Sequence, residues 1–192
     1  MLTYKLSTTL TDSQRPEWDL LTESTLGSEV HSDRKMGFLL SRVALKNALK
    51  DFGYEVSIGD LKLTDYHLIP KCPQLTISLS HTKTCGAAIV AERKEFRSVG
   101  IDIEEEKRVV KDSIIERIAH PNDHNLRNIE LWCVKEAVFK VLMNTGLFPK
   151  PIEFGSIEIG PNNWVHSPSN LSGEWKMVET TPYVVAIAFL RN

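Results

Sequence analysis

Apolar positions recur at helical spacing in two long segments of the chain. The first runs from about Asp33 to Phe52, with Gly53 placed where a left-handed helix cap belongs. The second runs from about Leu126 to Asn144 and is followed by Gly146. Two shorter helices are predicted, at Pro16–Leu26 and Asp112–Ala119.

Alternating or continuous apolar runs predict strands between and after these helices. The runs are Leu2–Leu6, Leu61–Leu63, Leu75–Leu79, Cys85–Ala91, Val99–Ile103, Ser156–Ile159, Gly173–Val178 and Tyr183–Leu190. Helices and strands are mixed along the chain, which predicts the α+β class.

The two long helices resemble each other. Aligning LLSRVALKNALKDFG with WCVKEAVFKVLMNTG places Arg42 opposite Lys135 and Ala44 opposite Ala137, and apolar strands follow both helices. This pattern predicts two pseudo-equivalent α+β halves, residues 1–97 and 98–192, related by a pseudo-two-fold. Chance similarity between amphipathic helices is the alternative explanation.

Composition excludes several classes of protein. With 192 residues and 42% hydrophobic positions the chain can bury a substantial core. A net charge of −2 does not favour nucleic acid or an anionic membrane as a partner. The longest apolar run, Val184–Leu190, is far shorter than the ~20 residues that span a bilayer. No secretory signal is recognisable at the N-terminus, so we expect a cytoplasmic protein.

The three cysteines, Cys72, Cys85 and Cys133, are an odd number and lack CxxC spacing. This pattern argues against both a disulfide framework and a zinc site. We expect three buried free thiols.

In the segment VGIDIEEEKR, side-chain alternation along a strand puts Asp102 and Glu104 on one face. Two carboxylates at this spacing are suited to a hard cation such as magnesium. A solvated strand edge that runs into a charged turn explains the same residues.

In the segment LWCVKEAVFK, Glu136 and Lys140 lie on the helix flank opposite the apolar stripe. Trp132 lies one turn earlier on that flank, which indicates that the flank contacts something. An ordinary i,i+4 surface ion pair is the alternative.

Two further groups are suited to phosphate. Ser80 and His81 end a predicted strand, where a hydroxyl, an imidazole and backbone amides can receive phosphate oxygens. Arg34, Lys35 and Arg42 lie near the start of the first long helix, where cations do not favour the helix dipole. A structural histidine and a solvated charged face remain the alternatives.

Taken together, these motifs resemble the 4′-phosphopantetheinyl transferase superfamily. Its two signature motifs are matched by Gly100, Asp102 and Glu104 and then by Trp132, Lys135, Glu136 and Lys140. The similarity reaches from about Arg34 to Gly146. The length and doubled pattern are similar to the single-chain, surfactin-synthetase-activating type.

The resemblance implies transfer of the phosphopantetheine arm of coenzyme A to a serine of an acyl or peptidyl carrier protein, with release of adenosine 3′,5′-bisphosphate. It implies Mg²⁺, or manganese as a substitute, held by Asp102, Glu104 and Glu136. Glu136 and Lys140 are the implied catalytic residues, Glu136 as a base for the serine, directly or through water, and Lys140 at the pyrophosphate.

The remaining implied roles concern coenzyme A, which is expected to bind in the cleft between the halves. Its phosphate contacts are expected from Arg34, Lys35, Arg42, Ser80, His81, Lys135 and Lys140. An internally doubled chain is expected to be a monomer.

The sequence departs from the family pattern in three places. The Gly-Lys-Pro segment of many relatives, which contacts adenine, is absent from residues 66–71. Gly37 stands where relatives often have Glu. The segment IAHPNDHN replaces the usual Phe-Ser-x-x-Glu between the signature motifs, so we expect altered carrier recognition.

Two other functions fit parts of the pattern. A catalytically silent module that binds coenzyme A or a carrier protein would share the fold, but it would not need all of Asp102, Glu104, Glu136 and Lys140. A magnesium-dependent phosphodiester hydrolase would release product without a carrier.

Overall fold

The chain divides into two compact units, Met1–Glu92 and Arg93–Asn192. The computed structural model describes residues 1–10, 15–27, 29–63, 68–147 and 151–192. Helices and strands occur in both units, which confirms the predicted α+β class. The pseudo-two-fold relation stays a prediction.

The first unit contains a three-stranded antiparallel sheet with strand order β1-β3-β2. Its strands are β1 (Leu2–Ser7), β2 (Leu75–His81) and β3 (Gly86–Glu92), and its helices are α1 (Arg15–Leu26) and α2 (Ser32–Asp51). The core of this unit includes the apolar stripe of α2 together with Ile77, Ala88 and Val90.

Helix α2 lies directly on strand β3. A Cβ atom added to Gly86 would stand 2.0 Å from the carbonyl carbon of Leu40 and 2.1 Å from the nitrogen of Ser41. Only glycine allows this approach of helix to strand. The helix begins after His31, whose Nδ1 accepts from Asp33 N, and Gly53 follows its end with φ 81°.

The second unit contains a five-stranded antiparallel sheet with strand order β4-β8-β7-β6-β5. Its elements are β4 (Phe96–Glu105), α3 (Asp112–Ile118), α4 (Asn128–Asn144), β5 (Ile157–Ile159), β6 (Asn163–His166), β7 (Leu171–Thr180) and β8 (Tyr183–Arg191). The buried side of α4, including Val134, Val138 and Val141, belongs to the core of this unit.

Helix α4 is held against strand β4 by close packing and by hydrogen bonds. A Cβ on Gly100 would stand 2.0 Å from the carbonyl oxygen of Ala137, so this position also requires glycine. Ser98 Oγ donates to Val141 O at 2.7 Å, and Asn144 Nδ2 donates to Val99 O at 3.2 Å. These contacts set the helix over the strand face that carries Asp102 and Glu104.

Two strand predictions differ from the structure. Leu61 and Leu63, predicted as a strand, belong to a 3-10 turn at Gly59–Leu61 and the chain after it, where both side chains are buried. The two leucines alternate with polar residues because both side chains pack into the core and hold the turn against it. Strand β6 was not predicted, because only its pairing with β5 and β7 distinguishes this short segment from a loop.

No helix in the described part of the chain is long and apolar enough to cross a membrane.

Candidate functional site

Strand β4 presents Asp102 and Glu104 to helix α4. Both carboxylates are largely removed from solvent, with side chains 7% and 13% exposed. Gly100, on the same strand face, contacts the backbone of α4. The two carboxylates therefore lie on a strand face covered by the helix, not at a solvated edge.

Helix α4 supplies a partner to each carboxylate. Lys140 Nζ lies 2.8 Å from Asp102 Oδ1 and also donates to Ile101 O at 2.9 Å. Trp132 Nε1 donates to Glu104 Oε1 at 2.9 Å, and Arg108 NH1 donates to the same oxygen. The flank of α4 that carries Trp132 thus contacts strand β4.

Glu136 stands on α4 one turn from both Trp132 and Lys140. Burial raises the pKa of Glu136 to about 6, and the negative charges of Asp102 and Glu104 also act to raise it. Burial raises the pKa of Glu104 as well, and the charge of Asp102 adds to that rise. The charge of Asp102 acts on both glutamates, and that of Glu104 acts on Glu136. Together with the contact between Lys140 and Asp102, this places the three acids and Lys140 in one neighbourhood of α4 and β4.

The donor chemistry of this group suits a hard divalent cation, since it consists of carboxylate oxygens that repel one another. Among the described residues, however, no three His, Cys, Asp or Glu side chains are arranged as a metal cluster. Lys140 and Arg108 instead neutralise Asp102 and Glu104. A bound cation would take over this neutralisation.

A pocket of about 540 Å³ opens beside Glu136. Phe154 and Trp132 form part of its wall, with their rings stacked at 6.2 Å, and Phe154 also stacks on Phe139 at 5.1 Å. Arg117 contributes the basic side chain of the lining. The pocket therefore combines apolar and aromatic surface with Arg117 and two acids, the half-buried Glu136 and the exposed Glu153.

Lys135 lies apart from this group, although it precedes Glu136 in the chain. Its side chain is 0% exposed, and its Nζ lies 2.8 Å from Asp123 Oδ2. The same ammonium donates to Ile157 O at 2.5 Å. We expected Lys135 to contact coenzyme A phosphates; the structure instead places its ammonium among protein oxygens, because the side chain points into the body of the second unit.

Asp123, the ion-pair partner of Lys135, was not identified from the sequence. It follows Pro121 and Asn122, a composition typical of any turn, so no local signal marked it. Its partner Lys135 is separated from it by the start of α4, and only the fold brings them together.

In the first unit, His81 ends strand β2 beside the start of helix α2. A Cβ on Gly37 would stand 2.4 Å from His81 Nδ1 and 2.7 Å from Thr82 O. The residue at position 37 must therefore be small for the imidazole to lie here. This contact gives the departure at Gly37 a physical reason and brings Ser80 and His81 close to the helix that carries Arg34 and Lys35.

The three predicted cations of α2 have different environments. Arg34 is exposed and Lys35 is half-buried, so the first turn of the helix offers positive charge at the surface. Arg42 is buried, with its guanidinium 3.9 Å from the centre of the Phe38 ring and NH1 donating to Ser41 Oγ at 3.0 Å. Its side chain contacts Phe38 and Ser41 because position 42 faces inward on α2, and its expected contact with coenzyme A phosphates stays a prediction.

Part of the chain matches a known protein family. Residues 98–188 match the model of the 4′-phosphopantetheinyl transferase superfamily. The matched segment contains Asp102, Glu104, Glu136 and Lys140, and supports a transferase function for the chain. The first unit lies outside the match. No curated protein matches the chain.

Proposed function

We propose that the chain is a 4′-phosphopantetheinyl transferase of the single-chain, surfactin-synthetase-activating type. Its substrates are coenzyme A and the serine hydroxyl of an acyl or peptidyl carrier protein. The observation that supports the proposal is the position of Glu136 on α4, one turn from Trp132, which bonds Glu104, and one turn from Lys140, which bonds Asp102. The family match covers the same face.

In the proposed reaction the serine oxygen forms a bond to the phosphorus that bears the pantetheine arm. The bond from that phosphorus to the bridging oxygen breaks, and adenosine 3′,5′-bisphosphate leaves. Glu136, the carboxylate that borders the pocket, takes the proton of the serine hydroxyl.

Charge neutralisation is the other requirement, because the pyrophosphate is anionic. Lys140 holds its ammonium at the carboxylate cluster and is proposed to bind pyrophosphate oxygens. Asp102, Glu104 and Glu136 would hold Mg²⁺, which when bound would neutralise phosphate oxygens as a Lewis acid. In the first unit Arg34, Lys35, Ser80 and His81 are proposed to contact the phosphates of coenzyme A.

Carrier recognition is proposed at the pocket beside Glu136. Its lining combines isoleucine and aromatic side chains with one basic residue, Arg117, and two acids, so we propose that it receives apolar side chains of a carrier-protein helix. The acceptor serine would enter next to the carboxylate that takes its proton.

The test is a mass measurement on a panel of apo-carrier proteins from fatty-acid, polyketide and peptide synthesis. We expect one carrier to gain the mass of a phosphopantetheine group when incubated with the chain, coenzyme A and Mg²⁺. We expect EDTA to abolish the gain. A complex without any mass gain would indicate a silent binding module, and phosphopantetheine released without a carrier would indicate a hydrolase; either result overturns the proposal.

A further inference from the structure

Lys135 and Asp123 form a buried ion pair whose hydrogen-bonding capacity is used within the second unit. The Lys135 ammonium lies 2.8 Å from Asp123 Oδ2, 2.5 Å from Ile157 O and 3.4 Å from Phe154 O. An ammonium has three donors, so these three acceptors account for all of them. Lys135 therefore has no donor left for a phosphate.

Both carboxylate oxygens of Asp123 also accept hydrogen bonds from the backbone. Its Oδ2 also accepts from the backbone nitrogen of His120 at 2.7 Å, and its Oδ1 accepts from Ile159 N at 2.8 Å. His124 N donates to Ile159 O at 2.6 Å, so the backbone of this loop is bonded to strand β5 as well. The carboxylate therefore ties the loop before α4 to β5.

The pair thus joins three segments: helix α4 through Lys135, the loop His120–His124 through Asp123, and the chain from Phe154 to Ile159. Phe154 belongs to the last of these and forms the aromatic wall of the pocket beside Glu136. Lys135 adjoins Glu136 in the chain, so anchoring one side chain inward also fixes how the helix presents the next.

We propose that Lys135 and Asp123 are positioning residues that hold the wall of the Glu136 pocket, and that Lys135 is not a phosphate ligand. The effect on catalysis rests on the proposed function, whereas the effect on the structure of the pocket wall does not. Without the pair, the Phe154 segment keeps its ring contacts with α4 but loses the hydrogen bonds from Lys135, so the backbone of the pocket wall is less firmly held. Misplacement of an acceptor site by about 1 Å can cost ~100-fold in rate.

The experiment compares Lys135→Met and Asp123→Asn with the wild-type full chain, using Lys176→Met, an exposed lysine of β7, as the matched control. Two readouts are taken: the Michaelis constants for coenzyme A and for the apo-carrier together with kcat, and amide hydrogen exchange of residues 119–127 and 152–159. A single change can leave one charge buried without its partner and prevent folding. The double variant Lys135→Met/Asp123→Asn removes both charges, and Lys135→Arg keeps the pair.

We expect both single variants to lower kcat/KM for the carrier by about 10-fold or more, while KM for coenzyme A changes less than about 2-fold. Exchange should accelerate in both segments, and Lys135→Arg should restore part of both properties. The proposal is overturned if Lys135→Met raises KM for coenzyme A while Asp123→Asn does not, or if exchange in both segments is unchanged. Because exchange needs no substrate, absence of transfer by the wild type would count against the proposed function alone.

Discussion

At the scale of single residues, the position of Glu136 on its helix sets the pKa of its carboxyl group. Its carboxyl is one turn from Trp132 and from Lys140, and the helix holds it over two other acids of strand β4. Burial and like charge both favour its protonated form, which raises its pKa to about 6. An isolated i,i+4 surface pair would not show this shift.

We predict that Glu136→Gln lowers transfer to the carrier by at least ~100-fold, because the amide cannot accept the serine proton. Glu179→Gln is the matched control, since Glu179 is an exposed acid of β7. Initial rates of mass gain measure the effect, with circular dichroism to confirm folding. A rate for Glu136→Gln equal to that of Glu179→Gln would remove Glu136 from the reaction.

The basic start of α2 leads to a second prediction. Arg34→Ala and Lys35→Ala should each raise KM for coenzyme A about 3- to 10-fold, as expected for the loss of one charge-assisted contact to phosphate, with little change in kcat. Lys50→Ala, in the last turn of the same helix, should behave as wild type. Unchanged constants in both Arg34 and Lys35 variants would place coenzyme A elsewhere.

At the scale of elements, the site depends on how closely helix α4 approaches strand β4. The carbonyl oxygen of Ala137 occupies the space where a Cβ of residue 100 would stand. Backbone, unlike the end of a flexible side chain, can move only with its helix. Any side chain at position 100 would therefore push Lys140 and Glu136 away from the strand acids.

We predict that Gly100→Ala destabilises the second unit by about 1–3 kcal/mol through overpacking. Gly155→Ala is a suitable control, because a Cβ there would meet only Ala119 O at 3.7 Å and Arg117 O at 3.8 Å, ordinary contact distances. Urea unfolding followed by tryptophan fluorescence measures the difference. Equal midpoints for the two variants would contradict the close approach of α4.

At the scale of the whole molecule, each unit buries its own core, and the three cysteines lie inside these cores. Cys72, Cys85 and Cys133 are free and buried, as the sequence predicted. Burial raises the pKa of all three thiols, most strongly that of Cys133. Because the thiolate is the reactive form, a higher pKa lowers reactivity at a given pH.

We predict that the folded chain reacts with a disulfide reagent at pH 8 far more slowly than free cysteine does, and that all three thiols react in denaturant. Raising the pH should accelerate the reaction, since the thiolate fraction grows toward the raised pKa. Absorbance of the released reagent measures both rates. A thiol that reacts at the rate of free cysteine would show that its site is open to solvent.

Local periodicity and residue chemistry were enough to predict the features that depend on neighbouring residues alone. Both long helices and most strands followed from spacing, and Gly53 and Gly146 both have positive φ after their helices. The chemistry of Asp102, Glu104, Glu136 and Lys140 was evident because two short motifs contain all four. The turn at Leu61 and strand β6 could not be predicted from the sequence, since their conformation depends on packing and on the strands that pair with them.

The partners of the two lysines of α4 depend on the packing of the fold. Helical spacing puts Lys140 opposite the apolar stripe, but it does not say that Lys140 bonds Asp102 or that Lys135 bonds Asp123. The same holds for Arg42, which packs inward while Arg34 remains exposed. A side chain's charge is a property of the residue, but its partner is set by the elements that the fold packs against it.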